Sequence, residues 1–408
     1  MSLQAVSPWA PDSAYAWKRL AAAIVVGTMA CAGLWTVVVV LPVVQEEFAT
    51  QRAGASLPYT LTMIGFGVGT VAMGKISDRT GIVVPIIASA LLLATGYVIA
   101  GLAPNLTVFA LAQGLLIGTG AAAGFAPLMA DISHWFVKRR GLAVVIAACG
   151  SYFAGTFWPL VMNQTIPAYG WRATHIGISI TILLVILPLV PLFRPKPTVA
   201  TMVAAEAATE TARADLGISP GQLQLLLTVA GFSCCVAMAM PQVHIVAYCG
   251  DLGYGVARGA QMLALMLGLG VVSRIGSGFI ADRIGAASTL MLGSLMQAVA
   301  LFLYLWFDGL VSLFVVSALF GLFQGGIVPM YAVLVRQFLP PKQAGSRIGI
   351  VMTATIFGMA FGGYLSGLIF DYAASYRLAF LNGLAWNMVN LALVGWIWMR
   401  VRAQPRTA

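Results

Sequence analysis

Twelve times along its length this chain runs apolar for about 20 residues or more, at roughly 20-44, 55-74, 83-103, 106-131, 141-166, 173-193, 221-248, 257-280, 287-306, 309-335, 346-370 and 377-399. A helix rises about 1.5 Å per residue and the hydrocarbon core of a bilayer is about 30 Å thick, so each run is long enough to cross. No water is available there to satisfy backbone N–H and C=O groups, and an open chain can meet that demand only as helices. The fold class that follows is an all-α membrane protein with twelve transmembrane helices. Composition closes off the alternative, since 60% of the 408 residues are hydrophobic and only 8% are charged, which no ordinary soluble globule tolerates.

The breaks between runs are turn or charged residues: Gln45-Glu46-Glu47, Lys75 to Gly81, Pro104-Asn105, Lys138-Arg139-Arg140 and Pro340-Pro341-Lys342. Prolines inside the runs (Pro42, Pro58, Pro127, Pro159, Pro188, Pro241, Pro329) predict kinks, which neighbouring helices can accommodate in a bilayer. The first 19 residues are too polar for a cleaved leader, and Thr28-Met29-Ala30-Cys31 is a weak lipoprotein box, so the first run is a retained span. A net charge of +10 would suggest nucleic acid in a soluble protein. Here the basic residues alternate by loop. Lys18 and Arg19 lead, and every second loop then carries Lys75 and Arg79; Lys138, Arg139 and Arg140; Arg194, Lys196 and Arg213; Arg283; Arg336, Lys342 and Arg347; and finally Arg400, Arg402 and Arg406. The intervening loops hold only Arg52, Arg172, Arg258 and Arg377. By the positive-inside rule both termini are cytoplasmic, with no nucleic-acid partner required.

The longest connection, 194-220, divides the chain into an N-terminal half at 1-193 and a C-terminal half at 221-408, with a cytoplasmic linker between them. The halves repeat. Gly74-x3-Asp78-Arg79-x-Gly81 recurs as Gly278-x3-Asp282-Arg283-x-Gly285, Pro127 and Phe136 as Pro329 and Phe338, Gly150 and Gly155 as Gly358 and Gly363, and Trp171-Arg172 as Tyr376-Arg377. Four pairs in the same order mark two pseudo-symmetric six-helix halves, the architecture of a transporter. At the end of a helix the loop motif makes physical sense, because glycine permits the tight turn, Asp can face a helix N-terminus and Arg can bridge to the other half.

Arg274 is the residue the apolar pattern does not explain. It lies roughly 12 Å from the Asp282 end of the eighth run and about 24 Å from Arg258, well inside the slab. A guanidinium does not deprotonate, and burying one in hydrocarbon costs between about 2.5 and well over 10 kcal/mol. Such a charge needs an anion. Gly270 and Gly278, one turn away on either side, supply none and leave room instead. The missing counter-ion is then a substrate anion, or else a carboxylate or carbonyls on a neighbouring helix. His244 follows Pro241 in the seventh run, about two turns from its outer end, where an imidazole could meet a carboxylate, titrate, or simply bond within the core. Asp78, Asp131, Asp251, Asp282 and Asp371 all fall at or near run ends, which argues against a cation exporter built on a buried carboxylate. There is no HExxH, no nucleophile with its base, and no clustered metal ligands, and the five cysteines form no CxxC. An enzyme is not expected, nor a cofactor, nor a metal.

The loop motif resembles the signature of the major facilitator superfamily, and the resemblance covers nearly the whole chain; Val83 and Val84 stand where that signature often carries basic residues. Trp135-Phe136-Val137-Lys138-Arg139-Arg140-Gly141-Leu142-Ala143, continuing to Gly150, resembles the fifth-span signature of the monocarboxylate porter family within it, with Trp in place of Tyr. Asp12-Ser13-Ala14-Tyr15-Ala16-Trp17 is similar to the motif leading into that family's first span, without its glycine. Arg274 with Gly278 and Ala281-Asp282 matches the family's eighth-span arginine, which implies a carboxylate substrate. The chain departs from animal members at Gly270, where they carry an acid, and in the first span, where Trp35 lies near the place of their lysine. Related oxalate/formate exchangers use a second cation in the eleventh span, and Met352-Thr353-Ala354-Thr355 offers none, so the single fixed cation suits a monoanion. The superfamily's fourth and tenth spans line its cavity, which brings in Gln113, Gln324 and Tyr331 as polar lining or as helix-to-helix hydrogen bonds.

Taken together, the reading is a secondary transporter of a small organic monocarboxylate such as lactate or pyruvate, coupled to H+ by symport through His244 or Asp251, working as a monomer in a plasma (bacterial inner) membrane. Carboxylate anion exchange is the alternative. A membrane receptor that binds an organic acid without moving it is the alternative from another class.

Overall fold

The computed structural model describes residues 12–136, 140–195, 218–339 and 344–402. Eleven helical stretches among them are long and apolar enough to span a bilayer. One of these, Leu142–Phe193, has 52 residues, more than twice the length a crossing needs. Gly170, with φ 78°, interrupts it, so it holds two helices and the described residues contain twelve helices of spanning length.

In order the helices are α1 (Ala14–Glu47), α2 (Arg52–Thr80), α3 (Val83–Gly101), α4 (Leu106–Ser133), α5 (140–169) and α6 (171–193). The second set is α7 (Pro220–Asp251), α8 (Val256–Ile284), α9 (Ala286–Trp306), α10 (Leu310–Val335) and α11 (Arg347–Ala373), and α12 (Tyr376–Arg402). An even number of crossings puts Ala14 and Arg402 on one face of the bundle, called here the first face, with the α2–α3 and α8–α9 turns. The second face carries the α1–α2, α7–α8 and α11–α12 turns. The loop 194-220 falls mostly outside the described residues, as do Val137, Lys138, Arg139, Lys342 and the side chains of Asp78 and Arg336.

The internal repeat is written into the backbone. Three pairs of positive-φ residues, Ala49 and Gly253, Gly81 and Gly285, Gly170 and Ala374, are each separated by 204 residues. Gly81 and Gly285 end α2 and α8 with φ 82° and 84°, and their N–H groups bond to Ser77 and Ala281. A left-handed cap of this kind favours glycine and closes the helix by one bond. α2 packs on α11 and α5 on α8 across the two halves. Small residues allow close approach, as where an added Cβ on Gly65 would lie 1.8 Å from the Gly114 carbonyl oxygen.

Two of the prolines, Pro127 and Pro329, stand in the first turn of the helical segments that follow the interruptions of α4 and α10. Pro42, Pro58, Pro159 and Pro241 lie within continuous helices. The breaks fall at Cys31 in α1, at Gly124 and Phe125 in α4, at Cys149 in α5, and at Gly325 and Gly326 in α10. The breaks in α4 and α10 thus combine a glycine with a proline's missing N–H, whereas those at Cys31 and Cys149 have no proline within a turn.

Three arginines that the loop pattern treats as topology charges are instead engaged. Arg19 lies within α1, is 1% exposed, and donates two bonds to Asp131 of α4 at 2.8 and 2.7 Å. Its remaining donors reach the carbonyls of Leu192, Phe193 and Pro195, and Trp135 and Phe193 cover its faces. Arg52 is the first residue of α2 and is 4% exposed. Arg172 pairs with Glu47 and bonds to the carbonyls of Gly101 and Ala103. The two short motifs at 12-17 and 135-136 pack on one another. Asp12 N–H bonds to the Trp135 carbonyl, Tyr15 stands edge-on to Trp135, and Trp17 edge-on to Phe136.

Candidate functional site

The site is built from broken helices. In α5 the amide of Tyr152 bonds to Cys149 rather than to Ala148, which frees the Ala148 carbonyl from the helix ladder. In α10 the Gly325 carbonyl is free for a different reason, because the residue four positions on is Pro329, which has no N–H to donate. Released carbonyls at membrane depth need donors. Arg274 of α8 donates to both, from Nη1 to Ala148 at 2.8 Å and from Nε to Gly325 at 3.2 Å, and the Ser151 hydroxyl also reaches the Ala148 carbonyl, at 3.2 Å. Its guanidinium carbon sits 4.0 Å from the centroid of the Tyr152 ring. The side chain is buried, at 5% exposure.

The two carbonyls orient the guanidinium without neutralising it. A guanidinium has five N–H donors, and neither partner carries a charge. Among the described residues no carboxylate is seen to form an ion pair with Arg274; Asp131, Asp251 and Glu47 pair instead with Arg19, Arg52 and Arg172. A cation over an aromatic face gains roughly 0.5 to 2 kcal/mol, which is less than the cost of burying the charge. The arrangement leaves an oriented, uncompensated positive charge between α5, α8 and α10.

Gln324 completes it. Its Oε1 accepts from the Tyr152 hydroxyl at 3.1 Å, and its Nε2, fully buried, has no hydrogen-bond partner. A buried unmade hydrogen bond costs about 1–3 kcal/mol, so an acceptor placed here would be stabilised. Gly270 makes the space, since an added Cβ would stand 3.3 Å from the Tyr152 ring and 3.6 Å from Gln324 Nε2. α8 and α10 meet only because both are small there: a Cβ on Gly325 would lie 2.3 Å from the Gly270 carbonyl oxygen, and one on Gly326 would lie 2.2 Å from Ser277. Trp35 joins from α1, its indole N–H donating to the Ser151 carbonyl at 2.7 Å and its ring lying against Gly155.

Arg274 and Gln324 thus meet at Tyr152, a residue the sequence pattern did not single out, and Trp35 lies against the same helix at Ser151 and Gly155. Its signal was available: a tyrosine three residues past Cys149, between Gly150 and Gly155, in a run otherwise poor in polar groups. The other candidates lie elsewhere. Gln113 packs between α4 and α2, 3.4 Å from the Thr62 hydroxyl. The Tyr331 hydroxyl donates to Asn390, which with Asn387 bonds to Ser294 and ties α9, α10 and α12 together. His244 donates from Nε2 to the Gly363 carbonyl at 2.8 Å near the second face, and Asp251 pairs with Arg52. Neither is bonded to Arg274. In the paired loops Arg79, Asp282 and Arg283 are exposed, and an added Cβ at Gly74 or Gly278 would meet nothing within 4 Å. No cluster of metal-binding side chains occurs among the described residues.

The family model of the major facilitator superfamily matches residues 23–315 and 277–408. The chain is 26% identical over 379 residues to monocarboxylate transporter 13 of Rattus norvegicus, covering 91% of this chain and 86% of the rat protein. It is 25% identical over 307 residues to the MFS-type transporter pynF of Aspergillus niger, covering 74% and 69%. Among solved structures, a bacterial homologue of the human lysosomal transporter Spinster, inward-facing and unoccupied, superposes with a TM-score of 0.73 at 14% identity, over 97% of this chain and 99% of that one. A variant of the nucleoside transporter NupG gives a TM-score of 0.73 at 11% identity, over 93% and 99%. With two six-helix halves meeting at a buried, uncompensated arginine and the family model matched over nearly its full length, this chain belongs to the major facilitator superfamily and is a secondary transporter, not an enzyme.

Proposed function

We propose that the chain moves a small monocarboxylate of the lactate or pyruvate kind by alternating access, with Arg274 holding the carboxylate and Gln324 Nε2 donating to a second oxygen. The observation that carries this reading is a guanidinium in mid-helix, fixed by two carbonyls and an aromatic face, with no acid bonded to it among the described residues. Likeness to a monocarboxylate transporter supports the substrate class. One fixed cation suits one carboxylate.

Proton symport makes the cycle electrically neutral, whereas an anion entering alone is opposed by about 2.3 kcal/mol per 100 mV. His244 and Asp251 are the groups assigned to the proton. Exchange of one carboxylate for another is the second reading, favoured by the observation that neither group is bonded to Arg274. In both readings the first face is cytoplasmic, the halves are 1-193 and 221-408, the loops at 74-81 and 278-285 act in the switch, and the monomer in a bacterial inner membrane is the working unit. Purified chain in proteoliposomes, loaded with and without an inward pH gradient and given labelled lactate, separates them. Accumulation that follows the gradient supports symport; uptake that requires internal acid and ignores the gradient supports exchange; neither activity with any small monocarboxylate overturns the substrate class.

A further inference from the structure

The second face is fastened across the two halves by one arginine and two aspartates. Asp371, near the end of α11, places its two carboxylate oxygens on the N–H groups of Arg52 and Ala53 at the start of α2, both at 2.7 Å. Asp251, at the end of α7, takes the Arg52 Nη2 at 2.6 Å. Phe370 and Tyr376 cover the guanidinium, with ring centroids 5.1 and 6.0 Å away. A carboxylate at a helix N-terminus meets unpaired N–H groups and the positive end of the helix dipole, and both bonds are charge-assisted. The capping group here comes from the opposite half of the molecule.

Two other ion pairs among the described residues do not do this. Arg19 with Asp131 and Arg172 with Glu47 each join helices of the first half. Arg52 with Asp251 crosses between halves. One turn along α2 the seam is tight, since an added Cβ on Gly367 of α11 would lie 2.8 Å from the Ser56 hydroxyl and 3.1 Å from the Arg52 carbonyl. Around the same seam Arg52 Nε, the Tyr59 and Tyr376 hydroxyls and His244 Nδ1 are buried with no hydrogen-bond partner. The two aspartates make their bonds, while one donor of Arg52 and several neutral groups stay unpaired, as in a contact meant to part.

We propose that Asp371 and Asp251, acting on Arg52 and the N-terminus of α2, form a latch that holds the second face shut, and that this face opens only when Asp371 leaves the α2 amides. The latch is independent of which substrate is carried. Ser56, fully buried beneath it, is the reporter position.

The test is the rate at which a maleimide labels S56C in chain reconstituted into nanodiscs, where both faces are accessible. The five native cysteines are buried, and a parent chain without S56C is labelled in parallel to subtract them. With the latch intact S56C reacts slowly. D371N leaves one of the two amides without an acceptor, and D251N removes the charge opposite Arg52; each should speed labelling by about tenfold, the change expected when a charge-assisted bond is lost. If D371N does not yield folded chain, D251N carries the test alone, since that side chain is 39% exposed and tolerates replacement. Unchanged labelling in a folded D251N chain, or fast labelling of S56C with the latch intact, overturns the proposal. No acid is used, so either result leaves the substrate reading standing.

Discussion

Arg274 and Tyr152 come from opposite halves of the molecule and meet face to face, with 4.0 Å between the guanidinium carbon and the ring centroid. The same tyrosine bonds Gln324 of the half that carries the arginine. One ring therefore fixes the direction of a charge and the orientation of an amide.

Tyr152 should act through that positioning. Tyr152→Phe keeps the ring over Arg274 and loses the bond to Gln324, worth about 1 kcal/mol, so KM for the carried acid should rise roughly fivefold with little change in kcat. Tyr152→Ala removes the stacking face as well and should raise KM further and lower kcat. Initial rates of uptake over a range of acid concentrations distinguish the two patterns.

Gly325 should tolerate no side chain. A Cβ there would stand 2.3 Å from the Gly270 carbonyl oxygen, which is backbone and cannot swing aside. Gly325→Ala should cost on the order of 1–3 kcal/mol by overpacking and lower the thermal midpoint of the detergent-solubilised chain. Gly276→Ala, where nothing lies within 4 Å, is the matched control and should leave the midpoint unchanged.

Arg19 and Asp131 should matter for stability. Both are largely buried, at 1% and 10% side-chain exposure, so Arg19→Ala leaves an uncompensated acid and should cost about 3 kcal/mol. Adding Asp131→Asn removes that acid and should recover part of the loss. Thermal unfolding of the single and double variants measures the difference.

His244 is the residue to test for coupling. His244→Gln can keep a donor to the Gly363 carbonyl but cannot take up a proton. Counterflow exchange of labelled acid should survive, and accumulation driven by a pH gradient should weaken. If both survive unchanged, Asp251 is next; if both are lost, His244 holds the fold or the acid itself.

The fold was legible because a bilayer demands long apolar runs, and α2, α8 and the repeated Asp-Arg-x-Gly turns announced themselves by length and spacing. Arg274 was legible for the opposite reason, a charge where the pattern allows none. What the sequence hid is contact between distant helices. Nothing in the neighbourhood of Tyr152 signals that the break at Cys149 frees a carbonyl for α8, and nothing around Arg52 distinguishes a loop charge from the first residue of a helix clamped by Asp371. The prolines were partly informative, since Pro127 and Pro329 adjoin interruptions of α4 and α10 while Pro42, Pro58, Pro159 and Pro241 lie inside unbroken helices. Gln113 and Tyr331 have the same composition signal as Gln324, and only their partners separate them.

The central claim is that Arg274 holds the substrate carboxylate, and uptake of labelled lactate by proteoliposomes containing wild-type, Arg274→Lys and Arg274→Ala chain tests it most directly. Lysine keeps the charge but loses the planar fork that grips a carboxylate with two parallel bonds. The account predicts uptake by the wild-type chain, a rate reduced by an order of magnitude or more for the lysine chain, and none for a folded, inserted alanine chain. Wild-type uptake by the alanine chain would contradict it.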